Sequence, residues 1–242
     1  MLLERADQLE LLATRHAEVQ ERSRGRFVLV AGEAGIGKTA LVRAFCEDRP
    51  RVLWGACDAL YTPRPLGPIV DIGEDLAADG AAPSEVANAL AAELRRPAIL
   101  VLEDLHWADE ATLDVVRLLA RRIEALPALV IVTYRDDELD RTHPLRSVLG
   151  ALPSRIADRV APAPLSPEAV ALLASGDVDP GELHRRTGGN RSSSPRRSRP
   201  VAAKPSATPS SPAAPGWIRR PGPCSTRSRS CRCGPSCGCS KR

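Results

Sequence analysis

Apolar positions along the chain follow two different spacings. Three stretches are continuously apolar: Phe27 to Ala31, Ala98 to Leu102 and Ala128 to Thr133. Short unbroken runs of this kind suit strands buried on both faces of a parallel sheet. Arg51 to Gly55 reads as a further short strand, and 158–162 as a weak one. Between these runs the apolar residues recur at helical intervals. Residues 1–24 carry Leu2, Leu3, Leu9, Leu12 and Val19 among charges, and Ala40 to Phe45 has helical character. Pro63, Pro65, Gly67 and Pro68 mark a loop, followed by helices near 69–78 and 84–95, the second started by Pro83-Ser84-Glu85 and ended by Pro97. Asp109 to Glu124 repeats Leu113, Val116, Leu119, Ala120 and Ile123 before Pro127 breaks it. Shorter helices are predicted at 144–151, from Ser166-Pro167-Glu168 to about Ala174, and at 180–187. Strands alternating with helices predict an α/β fold, a three-layer sandwich around a parallel sheet. No internal repeat is visible.

Charge divides the chain unevenly. Twelve of its 34 Lys and Arg residues lie in 191–242, which holds none of the 30 acids. Residues 1–190 are therefore acidic overall, although the whole chain carries a formal +4. The cysteines split likewise. Cys46 and Cys57 lack metal-ligand spacing and read as core thiols, whereas Cys224, Cys231, Cys233, Cys237 and Cys239 crowd the end. The opening MLLERADQLE has no signal-peptide core, and no apolar run is long enough to span a bilayer. A cytoplasmic protein without membrane contact is the expectation.

The chemistry centres on Gly32-Glu33-Ala34-Gly35-Ile36-Gly37-Lys38-Thr39, which fits G-x-x-x-x-G-K-[ST] between a predicted strand and a predicted helix. Glycines let backbone N–H groups curl around a polyphosphate, and the helix start adds a favourable field. Lys38 is expected to reach the β- and γ-phosphates, and Thr39 to hold Mg²⁺ through its hydroxyl. A glycine-rich turn matching by chance is the competing reading. The run Leu100-Val101-Leu102 closed by Glu103-Asp104 fits an acid-terminated second strand, with Glu103 on the metal side and Asp104 on the water side. Its competitor is a strand that simply ends in solvated acids. Arg135, at the end of the next strand, would share the sheet edge where ligands bind and could sense the γ-phosphate, or it could pair with Asp136 or Asp137. His106 reads either as a polar contact near the γ-phosphate or as a structural loop residue.

The segments GEAGIGKTALV, LVLEDLHWAD, VTYRDDEL, LSPEAVALL and TGGN resemble the N-terminal ATPase module of large ATP-binding LuxR-type transcriptional regulators, a STAND class related to AAA+ ATPases. The resemblance covers about residues 1–190. Glu4-Arg5 looks like that family's opening box, which implies that Arg5 lies by the adenine. The resemblance further implies a nucleotide-gated switch binding ATP or ADP with Mg²⁺, self-association through the ATPase module, and DNA binding by a helix-turn-helix that is not read in these residues. The organisation expected is an N-terminal helix at 1–25, a P-loop core at 26–163, the start of a helical lid at 164–190 and a tail at 191–242.

That tail departs from the family at once, because TGGN is expected to continue with Pro and two aromatics and instead reads Arg191-Ser192-Ser193-Ser194. It contains no Leu, Asp, Glu or Phe, but nine Pro. Back-translating from Asn190 as AAC CGT TCT TCG TCA CCG AGG CGC TCG and restoring one C after AACC gives NPFFVTEAL, the expected continuation. The codons are chosen, so the match is permissive. A one-base deletion near codon 191 is the favoured reading. A basic disordered nucleic-acid arm, or zinc held by Cys231-x-Cys233 and Cys237-x-Cys239, are its rivals. For the whole chain the leading expectation is a slowly hydrolysing ATP switch module. The alternatives are an inactive nucleotide-binding remnant, another AAA+ class of ATPase, or a nucleic-acid binder acting through the tail.

Overall fold

Five parallel strands form one sheet in the order β2-β3-β4-β1-β5. They are β1 (Arg26–Ala31), β2 (Val52–Ala56), β3 (Ala98–Glu103), β4 (Ala128–Tyr134) and β5 (Ala157–Val160). The helices are α1 (Ala6–Arg22), α2 (Lys38–Cys46), α3 (Gly67–Ile72), α4 (Pro83–Glu93), α5 (Glu110–Ala120), α6 (Pro144–Gly150) and α7 (Pro167–Leu173). The computed structural model describes residues 2–60, 62, 64–78, 80–173, 184 and 188–190. The tail readings at 191–242, and the helix expected at 180–187 apart from residue 184, lie outside the described residues. No helix among the described residues is long and apolar enough to cross a membrane.

The continuous apolar runs in β3 and β4 are buried throughout, as is every residue of both strands. Alternation sorts their side chains onto two faces. Phe27, Leu29, Leu100, Leu102, Val130 and Val132 pack with Leu90, Val116, Leu119 and Val148, residues of α4, α5 and α6. Val28, Val30, Ile99, Val101, Leu129 and Ile131 pack with Leu12, Val19, Leu41 and Phe45, residues of α1 and α2. Both sides of the sheet are thus covered, and the expected three layers are present.

Three boundaries differ from the predicted ones. The first helix starts at Ala6, not at the chain start, because Glu4 takes a left-handed conformation with φ 53°. Leu2 and Leu3 therefore leave the α1 stripe. Leu2 packs on the α1–α2 side, and Leu3 on Leu165, Ala169 and Val170. The helix predicted over 69–78 is α3 followed by a separate 3₁₀ turn at Glu74–Leu76, with Gly73 between them. The long helix predicted to reach Glu124 ends at Ala120 and continues as a 3₁₀ turn at Ile123–Ala125.

Capping chemistry fixes the helices next to the site. Asp109 caps α5 by accepting from the Thr112 N–H at 3.4 Å, and it also accepts from the Leu66 N–H at 3.2 Å. His143 caps α6 through Nδ1, which accepts from the Leu145 N–H at 3.2 Å. That assigns the proton to Nε2, which donates to the His106 carbonyl at 3.1 Å. The 3₁₀ turn Leu105–Trp107 is thereby tied to α6. Gly55 in β2 has a packing reason to be glycine: a Cβ there would meet the Pro68 carbonyl oxygen at 1.9 Å.

Candidate functional site

The loop after β1 needs its glycines for their backbone angles. Gly32, Gly35 and Gly37 have φ of 149°, 74° and 103°, conformations that side-chain-bearing residues resist. Gly37 stands at the start of α2, and the first turn closes with Leu41 N–H donating to the Gly37 carbonyl at 2.9 Å. Lys38 folds back over the loop, its Nζ donating to the carbonyls of Gly32 at 2.6 Å and Glu33 at 2.9 Å. Burial, with Arg135 adding repulsion, holds this ammonium below the ordinary lysine range, against the pull of Asp104.

Thr39, in the first turn of α2, meets Glu103 although β1, the strand before its loop, is not a neighbour of β3. Strand β4 separates β1 from β3, yet the Thr39 hydroxyl donates to Glu103 Oε1. The other oxygen of Glu103 accepts from Trp54 Nε1 at 3.1 Å, so a residue of β2 orients the carboxylate. Asp104 turns the chain at φ 54°, its N–H donating to Thr133 Oγ1 at 2.9 Å. Burial and the neighbouring Glu103 carboxylate raise its pKa above the usual aspartate range, partly offset by Lys38 and Arg135.

A cavity of about 550 Å³ opens over this edge, lined by Ala34, Gly35, Gly37, Lys38, Thr39, Ala40, Arg43, Asp104, Trp107 and Arg135. Three cations face one carboxylate in that list, which gives the cavity a positive balance suited to an anion. Of the expected site residues, Gly32 and Glu33 serve Lys38 through their carbonyls, Ile36 is buried, and Glu103 sits beneath Thr39. Arg135 reaches the cavity, but its ion-pair partner is Glu138, three residues on in the turn after β4, and not Asp136 or Asp137. Its Nε is buried with no hydrogen-bond partner among the described residues.

Arg5 is 4% exposed and lies away from the main cavity. Its Nη2 donates to the carbonyls of Ile36 at 3.2 Å and Ala163 at 2.7 Å. With Leu2, Leu3, Ile36, Gly37, Leu165 and Leu173 it lines a small crevice beside the loop. Glu4 accepts from the Ser166 N–H at 2.8 Å and from its hydroxyl, contacts that lower the Glu4 pKa. Ser166 in turn caps α7 by accepting from the Ala169 N–H at 3.1 Å. Asn190 Nδ2 donates to the Ala34 carbonyl, so the last described residue also reaches the glycine loop.

His106 is buried in its 3₁₀ turn, packed against Trp107 with ring centroids 4.4 Å apart and planes tilted by 41°. Burial, with Arg135 and Lys38 nearby, pushes its pKa down to about 4. It does not line the cavity, which favours the structural reading over direct contact. Both remaining cysteine expectations hold: Cys46 and Cys57 are free and buried. Sequence reasoning missed Arg43, Trp54 and Trp107. Arg43 was discoverable, because it follows Thr39 by one helical turn; it also stacks over Trp54 at 5.8 Å. The Trp54 contact depends on strand order, which no local signal carries.

A parallel sheet with helices on both faces and a glycine loop leading into a helix define a P-loop NTPase fold. The sequence pattern described as "AAA ATPase domain" matches residues 1–132, more than half of the chain, and the chain belongs to that family. Among solved structures it is similar to the Orc1 protein of Aeropyrum pernix in complex with DNA, at 18% identity and TM-score 0.50, covering 71% of this chain and 48% of that one. It is also similar to the RuvB Holliday junction branch migration motor of Thermotoga maritima, at 17% identity and TM-score 0.45, covering 78% and 58%. A STAND protein with a tetratricopeptide repeat sensor from Pyrococcus horikoshii matches at 20% identity and TM-score 0.42, covering 73% and 28%. The chain spans less than two thirds of each of these structures, and the Aeropyrum likeness speaks to the fold alone. No curated protein matches this sequence.

Proposed function

We propose that this chain is an ATP- and Mg²⁺-binding switch module that hydrolyses ATP slowly. The observation that carries the reading is the gathering of Lys38, Thr39, Asp104 and Arg135 around one cavity at the glycine loop. In this reading the loop backbone and Lys38 hold the phosphates. Lys38 would exchange the carbonyls of Gly32 and Glu33 for phosphate oxygens. The Thr39 hydroxyl and Glu103 carboxylate form a hard oxygen pair that fits Mg²⁺, and they already lie within hydrogen-bonding distance of each other. The metal would supply charge neutralisation between phosphate oxygens. Trp54 fixes the orientation of Glu103, and Asp104, lining the cavity, accepts a proton from the attacking water. The raised Asp104 pKa makes it a better base than an exposed aspartate. Arg135 offers charge to the terminal phosphate.

Arg5 supports the adenine end indirectly, by anchoring the loop at Ile36. The apolar crevice of Leu2, Leu3, Leu165 and Leu173 is the surface on which a base would stack. Membership of a LuxR-type regulator, nucleotide-controlled self-association and DNA binding by a separate domain are proposed from the LEDLHWAD and TGGN segments. A mutation-dependent assay tests the core of the reading. Purified protein should bind a fluorescent ATP analogue with Mg²⁺ and turn ATP over slowly, and Lys38→Ala should weaken the binding and abolish the turnover. Binding without turnover would favour the inactive remnant, and no binding at all would overturn the proposal.

A further inference from the structure

One carboxylate beside the site has no part in the reading above. Glu138 forms an ion pair with Arg135, the cation placed to meet a terminal phosphate. Its second oxygen lies 3.4 Å from His106 Nε2, a ring nitrogen that is buried and has no hydrogen-bond partner among the described residues. The His106 side chain is 1% exposed, and Glu138 is only partly shielded at 37%. The ring is held in place from behind, by Trp107 and by the His143 bond to the His106 carbonyl. Glu138 itself sits in the exposed turn after β4.

We propose that Glu138 is an internal stand-in for the γ-phosphate, a specificity-determining residue that makes Arg135 respond to a triphosphate and ignore a diphosphate. The inference rests on the ATP-binding reading of the same cavity. A carboxylate and a phosphate oxygen offer a guanidinium the same kind of charge-assisted bond. Only a ligand whose phosphate chain extends to Arg135 can compete for it. ADP would leave the Arg135–Glu138 pair intact and gain nothing from it. ATP must displace Glu138, so part of its extra binding energy is spent on the exchange. His106 gives the displaced carboxylate somewhere to go: with its proton on Nε2, a ring nitrogen with no hydrogen bond among the described residues, it can donate to Glu138 Oε2, already 3.4 Å away. The exchange moves one side chain between two arrangements, the kind of two-state element that a switch requires.

The test compares ATP and ADP affinities, with Mg²⁺, for wild type, Glu138→Gln, Arg135→Ala and the double variant of the full chain. Glu138→Gln should tighten ATP by about five-fold, as expected for release of one partly shielded ion pair, and change ADP by less than two-fold. Arg135→Ala should weaken ATP selectively and erase the effect of the second substitution. Equal tightening of both nucleotides, or an undiminished Glu138→Gln effect on the Arg135→Ala background, would overturn the inference. Glu138→Asp, too short to keep the pair, should behave like Glu138→Gln and guards against a local packing artefact. If wild type binds neither nucleotide, the underlying reading fails. If it binds ATP through Lys38 and Glu138→Gln leaves the ATP-to-ADP ratio unchanged, only the stand-in role fails.

Discussion

The two ends of the sheet handle charge in opposite ways. At the end where the strands begin, carboxylates are shared between guanidiniums. Asp158 lies 2.9 Å from Arg15 and 3.2 Å from Arg26, and Glu124 lies 2.7 Å from Arg24 and 3.3 Å from Arg155. At the end where the strands finish, like charges gather. Lys38 and Arg135 repel, Glu103 and Asp104 repel, and His106 is held neutral between cations. Pairing at the first end serves the fold. Crowding at the second costs stability, which is what a surface built to receive a charged ligand is expected to do. Substitutions at the two ends should therefore have opposite signatures.

The largest contrast is expected at Asp104. On the proposed reading, Asp104→Asn slows ATP turnover about 100-fold or more, while the melting temperature stays level or rises slightly. The sign follows from its raised pKa: the folded state disfavours the charged form, so neutralising the group relieves a penalty present at neutral pH. A clear loss of stability in that variant would erase the contrast. His106 comes next. Its pKa is about 4 in the fold, against an ordinary value of 6.5. Between those values the unfolded chain binds a proton that the folded one refuses, so stability rises with pH. Acidification from pH 7 to pH 4 should cost on the order of 2–3 kcal/mol at this residue. Denaturant titrations of wild type and His106→Gln across that range would show a steeper dependence in wild type; parallel curves would contradict it.

Lys38→Ala should weaken ATP by about 30-fold, the loss of a buried charged contact to the ligand. Its melting temperature should not fall, because a desolvated ammonium has been removed. The smallest effect belongs to the paired end. Asp158→Asn should cost about 1 kcal/mol of stability, as Arg15 and Arg26 lose their shared partner. ATP affinity should stay within two-fold. A nucleotide-binding defect in that variant would mean that the two ends are coupled.

Much of this arrangement was readable because it is local. The continuous runs at β3 and β4 announced buried strands, and Gly32, Gly35 and Gly37 announced a loop of unusual backbone angles. What was not readable depends on distant parts meeting. Nothing near Thr39 reveals that β4 separates the strand before its loop from that of Glu103 while the two side chains still touch. Asp109 opens the predicted helix as a cap residue does, but nothing in it announces that it also holds Leu66. Arg135 was read as a choice between a phosphate and its two nearest acids. The turn after β4 instead presents Glu138, because three residues on is where a chain leaving a strand folds back within reach.

Arg5 and Asn190 both grip the glycine loop from outside, through the carbonyls of Ile36 and Ala34. A peptide unit is rigid and planar, so fixing where its oxygen points also fixes the opposite direction for the N–H of the next residue. Holding Ala34 and Ile36 by their oxygens therefore sets the amides of Gly35 and Gly37 before any anion arrives. Glycine-rich loops are intrinsically loose, and ordering one during binding costs affinity. Here that ordering is done at folding, by residues 185 positions apart in sequence. The aim of the phosphate-facing amides thus depends on both flanks of the ATPase fold being docked.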